Sequence, residues 1–119
     1  MAKRSESQPP SMTPLSYQVL LSLADTDRHG YGIIKEVDER TGGAVQLETG
    51  TLYTALRRLK DDGLLVVVAE EDRPRDEDRR RKTYRLTERG MEELEAETRR
   101  LASLVKVAIE KNVIPSNAF

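Results

Sequence analysis

The sequence contains no cysteine and no tryptophan, and it has a single histidine and a single phenylalanine. Without cysteine the chain can form neither disulfides nor thiolate metal sites, which agrees with a reducing compartment. One histidine cannot supply a histidine-based metal cluster or a set of nucleophile, base and orienting group. We therefore expect no enzyme, no metal site and no cofactor.

Long apolar runs and an excess of charge of one sign are also absent. No run approaches the length that crosses a membrane, and no hydrophobic signal region follows the start, so we expect a cytoplasmic protein without a membrane partner. The 119 residues allow one small domain with one appended element. A net charge of −1 excludes a basic protein that coats nucleic acid indiscriminately, so binding to nucleic acid would depend on local clusters of charge.

Residues 50–65, GTLYTALRRLKDDGLL, are the most informative segment. At about 3.6 residues per turn the apolar residues share one face. That face consists of Leu52, Ala55, Leu56 and Leu59. The opposite face consists of Gly50, Thr54, Arg57 and Asp61. Hydroxyls and guanidinium groups suit groove edges and phosphate oxygens, so this pattern predicts a DNA-recognition helix, capped by Thr49 and ended by Gly63. An amphipathic core helix with a solvated charged face would show the same pattern.

A β-hairpin is predicted directly after this helix. Residues 64–71 are rich in β-branched side chains, and residues 82–87 alternate well enough to pair with them. The residues between are almost wholly charged, which predicts a short hairpin with a long charged loop, the wing of a winged helix. Its cations suit a phosphate backbone or a minor groove, but acids match them in number and equally favour a solvated loop. We assign DNA contact only to residues 79–82.

Two helices are predicted before the recognition helix. They occupy residues 13–24 and 31–40, with a polar turn at residues 25–29, and residues 44–47 add a short third strand. The predicted core positions are Leu15, Val19, Leu20, Leu23, Ile33, Ile34 and Val37. This order of elements is that of a winged helix-turn-helix, mainly α with a small β-hairpin (α+β).

A long C-terminal helix is predicted from residue 88 to residue 111, with Thr87 as its cap. Met91, Leu94, Thr98, Leu101, Val105 and Ala108 recur at alternating spacings of three and four. Such a helix could lie on its own domain, but the stripe is wider than one covering contact requires, which favours self-association. The residues predicted to form the dimer interface are Met91, Leu94, Leu101, Leu104, Val105 and Ala108.

Three blocks of sequence resemble the signature motifs of PadR-family transcriptional regulators. They are HGYGI at residues 29–33, GTLYTALRRLKDDGLL at residues 50–65 and RKTYRLTERG at residues 81–90. The resemblance implies a dimeric repressor that binds operator DNA and is released by a small molecule or another signal. Thr54 departs from the proline that is frequent there in the family, and the single C-terminal helix matches the short-tailed members.

The sequence thus predicts a disordered arm (residues 1–11), a winged helix-turn-helix domain (12–87), a C-terminal dimerisation helix (88–113) and a tail (114–119). Expected partners are double-stranded DNA, a second copy of the chain and a small-molecule effector held between the recognition domain and the partner's C-terminal helix. The predicted DNA contacts are Thr49, Gly50, Thr51, Tyr53, Thr54, Arg57, Arg58, Arg79, Arg80, Arg81 and Lys82. The alternative is a winged-helix protein-interaction module without DNA binding, for which an apolar outer face on the recognition helix would be expected.

Overall fold

The computed structural model describes residues 12–73 and 76–118, with side chains outside residues 72–80. The helices are α1 (Pro14–Ser22), α2 (Gly30–Arg40), α3 (Thr49–Asp61) and α4 (Glu88–Glu110), and the strands are β1 (Arg28–His29), β2 (Leu65–Arg73) and β3 (Asp76–Leu86). The strands form an antiparallel sheet in the order β1-β3-β2. This arrangement confirms the α+β winged-helix fold. The predicted arm at residues 1–11 lies outside the described residues.

The core lies between the first three helices, the sheet and the start of α4. The apolar face predicted for α3 is buried, as are the predicted core positions Val19, Leu20, Ile33 and Val37, while Leu15 and Ile34 pack at its edge. Burial of such side chains is the main favourable contribution to folding. The helical periodicity of the sequence therefore identified most of the core correctly.

The limits of the helices follow from local chemistry. Thr13 Oγ1 accepts a hydrogen bond from Ser16 N (3.0 Å), and Thr87 Oγ1 accepts one from Gly90 N (2.9 Å), so both threonines cap helices. Gly63 ends α3 in the left-handed region (φ 79°). The prediction that Thr49 caps α3 is wrong, because Thr49 is its first helical residue and Glu48 occupies the cap without a side-chain bond.

The third strand of the sheet is not where the sequence placed it. Residues 44–47 form no strand; Val45 and Leu47 pack against the core from a loop, and Val45 N donates to Thr41 Oγ1 (3.0 Å). The third strand is β1, within the predicted turn, with Arg28 opposite Tyr84 and His29 opposite Thr83. A two-residue strand has no room for an alternating pattern, so only its partner reveals it.

The hairpin is longer than predicted, because β2 continues to Arg73 and β3 begins at Asp76. Most of the charged segment is therefore strand rather than loop. In the register, Glu70 lies opposite Lys82 and Glu71 opposite Arg81. Opposite charges across an antiparallel pair stabilise it, which compensates for the low strand propensity of charged residues.

The first half of α4 is bound to its own domain. Gly90 lies so close to Leu64 and Leu86 that a Cβ there would overlap the Leu64 carbonyl oxygen. The Tyr17 hydroxyl donates to Thr98 Oγ1 (2.7 Å), which joins α1 to α4. Leu94 belongs to the buried core, so its assignment to a dimer interface is wrong. Its side chain is already covered by its own domain.

None of the described helices is both long enough and apolar enough to cross a membrane.

Candidate nucleic-acid interface

The outer face of α3 is exposed along its whole length. The exposed residues of this helix include Thr49, Gly50, Thr51, Thr54, Arg57, Arg58 and Asp61. Among the described carboxylates, none forms an ion pair with Arg57 or Arg58, so both guanidinium groups are available to a ligand. Thr54 Oγ1 donates to Gly50 O (3.0 Å), which leaves its lone pairs free to accept from a ligand. The face is polar and cationic.

Tyr53 joins this face to the start of α2. Its side chain is 38% exposed, and a Cβ at Gly30 would lie only 2.7 Å from Tyr53 Cζ. The tyrosine ring therefore packs on the bare backbone of Gly30, which fixes the phenol beside the first turn of α2. The neighbouring Tyr31 is 66% exposed. Two partly exposed aromatic side chains thus lie at or beside the junction of α2 and α3.

A cluster of four residues connects α3 to the hairpin, and we call it the junction cluster: Tyr53, Arg57, Glu70 and Tyr84. Tyr84 is buried in the core. Burial raises the pKa of the Tyr84 hydroxyl above 10.0, and Tyr53 and Glu70 raise it further, while Arg57 opposes them. These influences place the recognition helix and the base of the wing within electrostatic reach of one another.

The predicted cations of the wing are only partly described. Arg81 and Lys82 are half-buried on β3, whereas the side chains of Arg79 and Arg80 lie outside the described residues. Lys82 stands opposite Glu70, and Arg81 stands opposite Glu71. The hairpin thus follows α3 directly, and these described cations lie opposite acids in the register of the two strands.

A family model described as the transcriptional regulator PadR-like family matches residues 19–96. The chain belongs to this family. The matched residues run from the first helix through the hairpin into α4, so they include the recognition helix and the wing. The resemblance of the three sequence motifs is confirmed.

Solved structures agree with the family assignment. A PadR-family regulator from Clostridium difficile superposes with a TM-score of 0.67 at 28% identity, covering 82% of this chain and 97% of that one. A PadR-family regulator from Eggerthella lenta gives a TM-score of 0.61 at 30% identity, covering 82% and 83%. Bacillus subtilis PadR in complex with operator DNA gives 0.60 at 25%, covering 70% of this chain but 45% of that one. No curated protein matches the chain.

Two residues of the junction cluster of this PadR-family protein, Glu70 and Tyr84, were not predicted from the sequence. Glu70 was counted only as a charge that cancels others, and Tyr84 was read only as part of an alternating strand. The register of the hairpin and the packing of β2 on α3 bring both within electrostatic reach of the recognition helix. The alternation of residues 82–87 could have indicated the buried side of Tyr84, but nothing in the sequence indicates its neighbours on α3.

A separate cavity of about 400 Å³ lies between the turn after α1, the end of β3 and the start of α4. Its apolar lining includes Leu23, Leu86 and Met91. Asp27 and Arg85 close one side with three hydrogen bonds from the guanidinium group, of which the shortest is 2.8 Å. This bonding lowers the pKa of the Asp27 carboxyl group below its ordinary value of 3.8.

Proposed function

We propose that this transcriptional regulator is a repressor that binds a palindromic operator as a homodimer. The observation that carries the proposal is the division of α3 into a buried apolar face and an exposed face of hydroxyls and guanidinium groups. Such groups recognise base edges and phosphates in a major groove. The Bacillus relative, whose structure contains operator DNA, supports the same use of the fold. A protein-interaction module would be expected to expose apolar residues on this helix, and here the exposed positions are polar.

The homodimer would form through the second half of α4. Leu104 is 54% exposed and Val107 is 43% exposed, while Leu101, Val105 and Ala108 are half-buried. Since the buried residues of α4, Gly90, Leu94 and Glu97, all lie in its first half, the apolar surface of the second half needs another partner, and a second copy of the same helix fits it by symmetry. The interface then consists of Leu101, Leu104, Val105 and Ala108, with Met91 at its edge.

Selection of bound sequences from a random DNA pool tests the proposal. If the protein is such a repressor, the selection should recover a palindrome whose half-sites are separated by about one helical turn of DNA, or a multiple of it. Recovery of no sequence, with the folded protein at micromolar concentration, would favour the protein-interaction module instead. Placing the recovered sequence ahead of a reporter gene, with and without the protein, separates repression from activation.

The release signal is proposed to be a small molecule bound in the cavity beside α4. The cavity lining carries Asp25, Asp27 and Glu88 but a single guanidinium group, that of Arg85. This balance favours a small cationic molecule with an apolar part over a phenolate. A thermal-shift screen should therefore produce stabilisation with cationic aromatic compounds, and stabilising compounds should weaken operator binding. If neither cationic aromatic compounds nor phenolates shift the unfolding temperature or release DNA, the signal is not a ligand of this cavity.

A further inference from the structure

In the wing, the cations Arg81 and Lys82 each lie opposite an acid of the neighbouring strand. Glu70 lies opposite Lys82, and Glu71 lies opposite Arg81, in the β2-β3 ladder. Residues directly opposite in an antiparallel pair have Cβ atoms about 4.5–5.5 Å apart and point to the same face. The register thus places each carboxylate on the same face of the ladder as its cation, although these described side chains form no ion pair with each other. Glu70 and Glu71 are themselves exposed, while Lys82 and Arg81 are half-buried.

Glu70 also belongs to the recognition surface. Glu70 lies on β2, the strand that packs on α3, and together with Tyr53 and Arg57 it acts on the hydroxyl of Tyr84. A carboxylate at this position repels the phosphates that Arg57, Arg81 and Lys82 attract. Between its cap at Glu48 and Asp61 in its last turn, α3 has no acid.

We infer that Glu70 and Glu71 compete with DNA phosphates for Lys82 and Arg81, and thereby lower the affinity for DNA of unrelated sequence more than the affinity for the operator. The inference rests on the proposed DNA binding. Sequence-independent binding depends almost entirely on cations that meet phosphates, so a carboxylate directly across the ladder from each cation weakens it by repelling the phosphate. On the operator, base contacts from α3 hold the hairpin against the duplex, where the same cations meet phosphates in spite of this repulsion.

The test compares Glu70→Gln/Glu71→Gln with the wild-type protein and with Glu39→Gln/Glu92→Gln. Both double variants change the net charge equally, and the control residues are exposed on α2 and α4. Affinity is measured for the selected operator and for a scrambled duplex at several salt concentrations. We expect the wing variant to bind the scrambled duplex about tenfold more tightly and the operator less than about threefold more tightly, because two phosphate contacts are released from competition. Glu70→Asp/Glu71→Asp, which keeps both charges, should behave as the wild type.

A gain on the scrambled duplex no larger than that of the control variant overturns the inference, as does an equal gain on both duplexes. Elution from a heparin column separates this outcome from a failure of the proposed function. If the wild-type protein binds neither duplex, DNA binding is wrong, but later elution of the wing variant than of the control still supports competition for the wing cations. Equal elution overturns it. Thermal unfolding of all variants checks that they are folded.

Discussion

The proposed base contact of Arg57 follows from α3, which buries the opposite face and leaves the guanidinium group unpaired among the described carboxylates. Arg57→Ala should weaken operator binding by about 1–3 kcal/mol and relax the preference at one position of each half-site. Tyr53→Phe should instead weaken all sequences alike, since a phenol that meets a phosphate carries no sequence information. Titrations on operator and scrambled duplexes measure both. An unchanged affinity of Arg57→Ala for the operator would remove this residue from the groove.

The ion pair of Asp27 with Arg85 makes stability depend on pH. The hydrogen bonds from Arg85 lower the pKa of Asp27 in the folded state, so the pair stabilises the protein above the ordinary pKa of 3.8 and loses this effect as the pH falls through the folded-state pKa. Asp27→Asn should therefore lower the free energy of unfolding at neutral pH, and its difference from wild type should shrink as the pH falls below 3.8 through the lowered folded-state pKa of Asp27. Denaturant unfolding across this range measures the difference. The exposed Glu92→Gln is the control, and a difference that does not change with pH would contradict the assignment.

At the scale of elements, Thr87 joins three of them. Its hydroxyl accepts from Gly90 N at the start of α4 and donates to Gly63 O (2.7 Å) at the end of α3, and its backbone N–H donates to Leu64 O beside β2. Thr87→Ala removes a cap and a link between helices, so it should lower the free energy of unfolding by about 1–2 kcal/mol. Thr13→Ala removes only the cap of α1 and should cost less. Equal losses would indicate that the bond to Gly63 contributes nothing.

The contribution of the wing to operator affinity can also be measured. Arg81→Gln/Lys82→Gln should flatten the plot of operator affinity against salt concentration by about 0.9 logarithmic unit for each lost phosphate contact. Lys106→Gln/Lys111→Gln removes the same charge from the far end of α4 and should leave the slope unchanged. Fluorescence anisotropy at several salt concentrations gives the slopes. A wing variant with the slope of the wild type would show that these cations do not reach phosphates.

At the scale of the whole molecule, α4 extends beyond the domain that anchors its first half. The chain measures 55 × 42 × 22 Å along its principal axes, an elongated shape for its length, and Leu104 and Val107 are exposed in the second half of α4. One recognition helix and one wing make too small an interface for strong discrimination among genomic sites. The proposed pairing of two α4 helices would double the interface with DNA.

Leu104→Asp tests this pairing. A carboxylate in each half of the interface suffers both desolvation and like-charge repulsion, so the variant should be monomeric. Operator affinity should fall by more than the about 1–3 kcal/mol that one base contact contributes. Ser103→Asp adds the same charge to the opposite, exposed side of α4 and should still dimerise. Sedimentation and DNA titration of both variants decide it, and a folded Leu104→Asp dimer that binds the palindrome would place the interface elsewhere.

Elements with repeated local signals were predicted from the sequence with their residues. The buried face of α3, the cap at Thr87 and the stop at Gly63 depend on neighbours within a few positions along the chain, so periodicity and capping preferences suffice to find them. The motifs at residues 29–33, 50–65 and 81–90 also predicted the PadR family, since their combination reflects one fold and one function. The assignment of Thr49 to the cap was wrong by a single residue, as helix limits often are.

The tertiary structure alone decided the features that depend on distant partners. β1 exists because Arg28 and His29 pair with β3, and the charged segment became strand because its acids lie opposite its bases. Leu94 was assigned to the wrong surface because periodicity shows that a residue is apolar, but not whether its own domain or a partner covers it. The sequence by itself determined the recognition helix, because the periodicity of α3 is local. The junction of Arg57, Glu70 and Tyr84 required the fold, because long-range packing brings these residues together and no regular spacing along the chain indicates it.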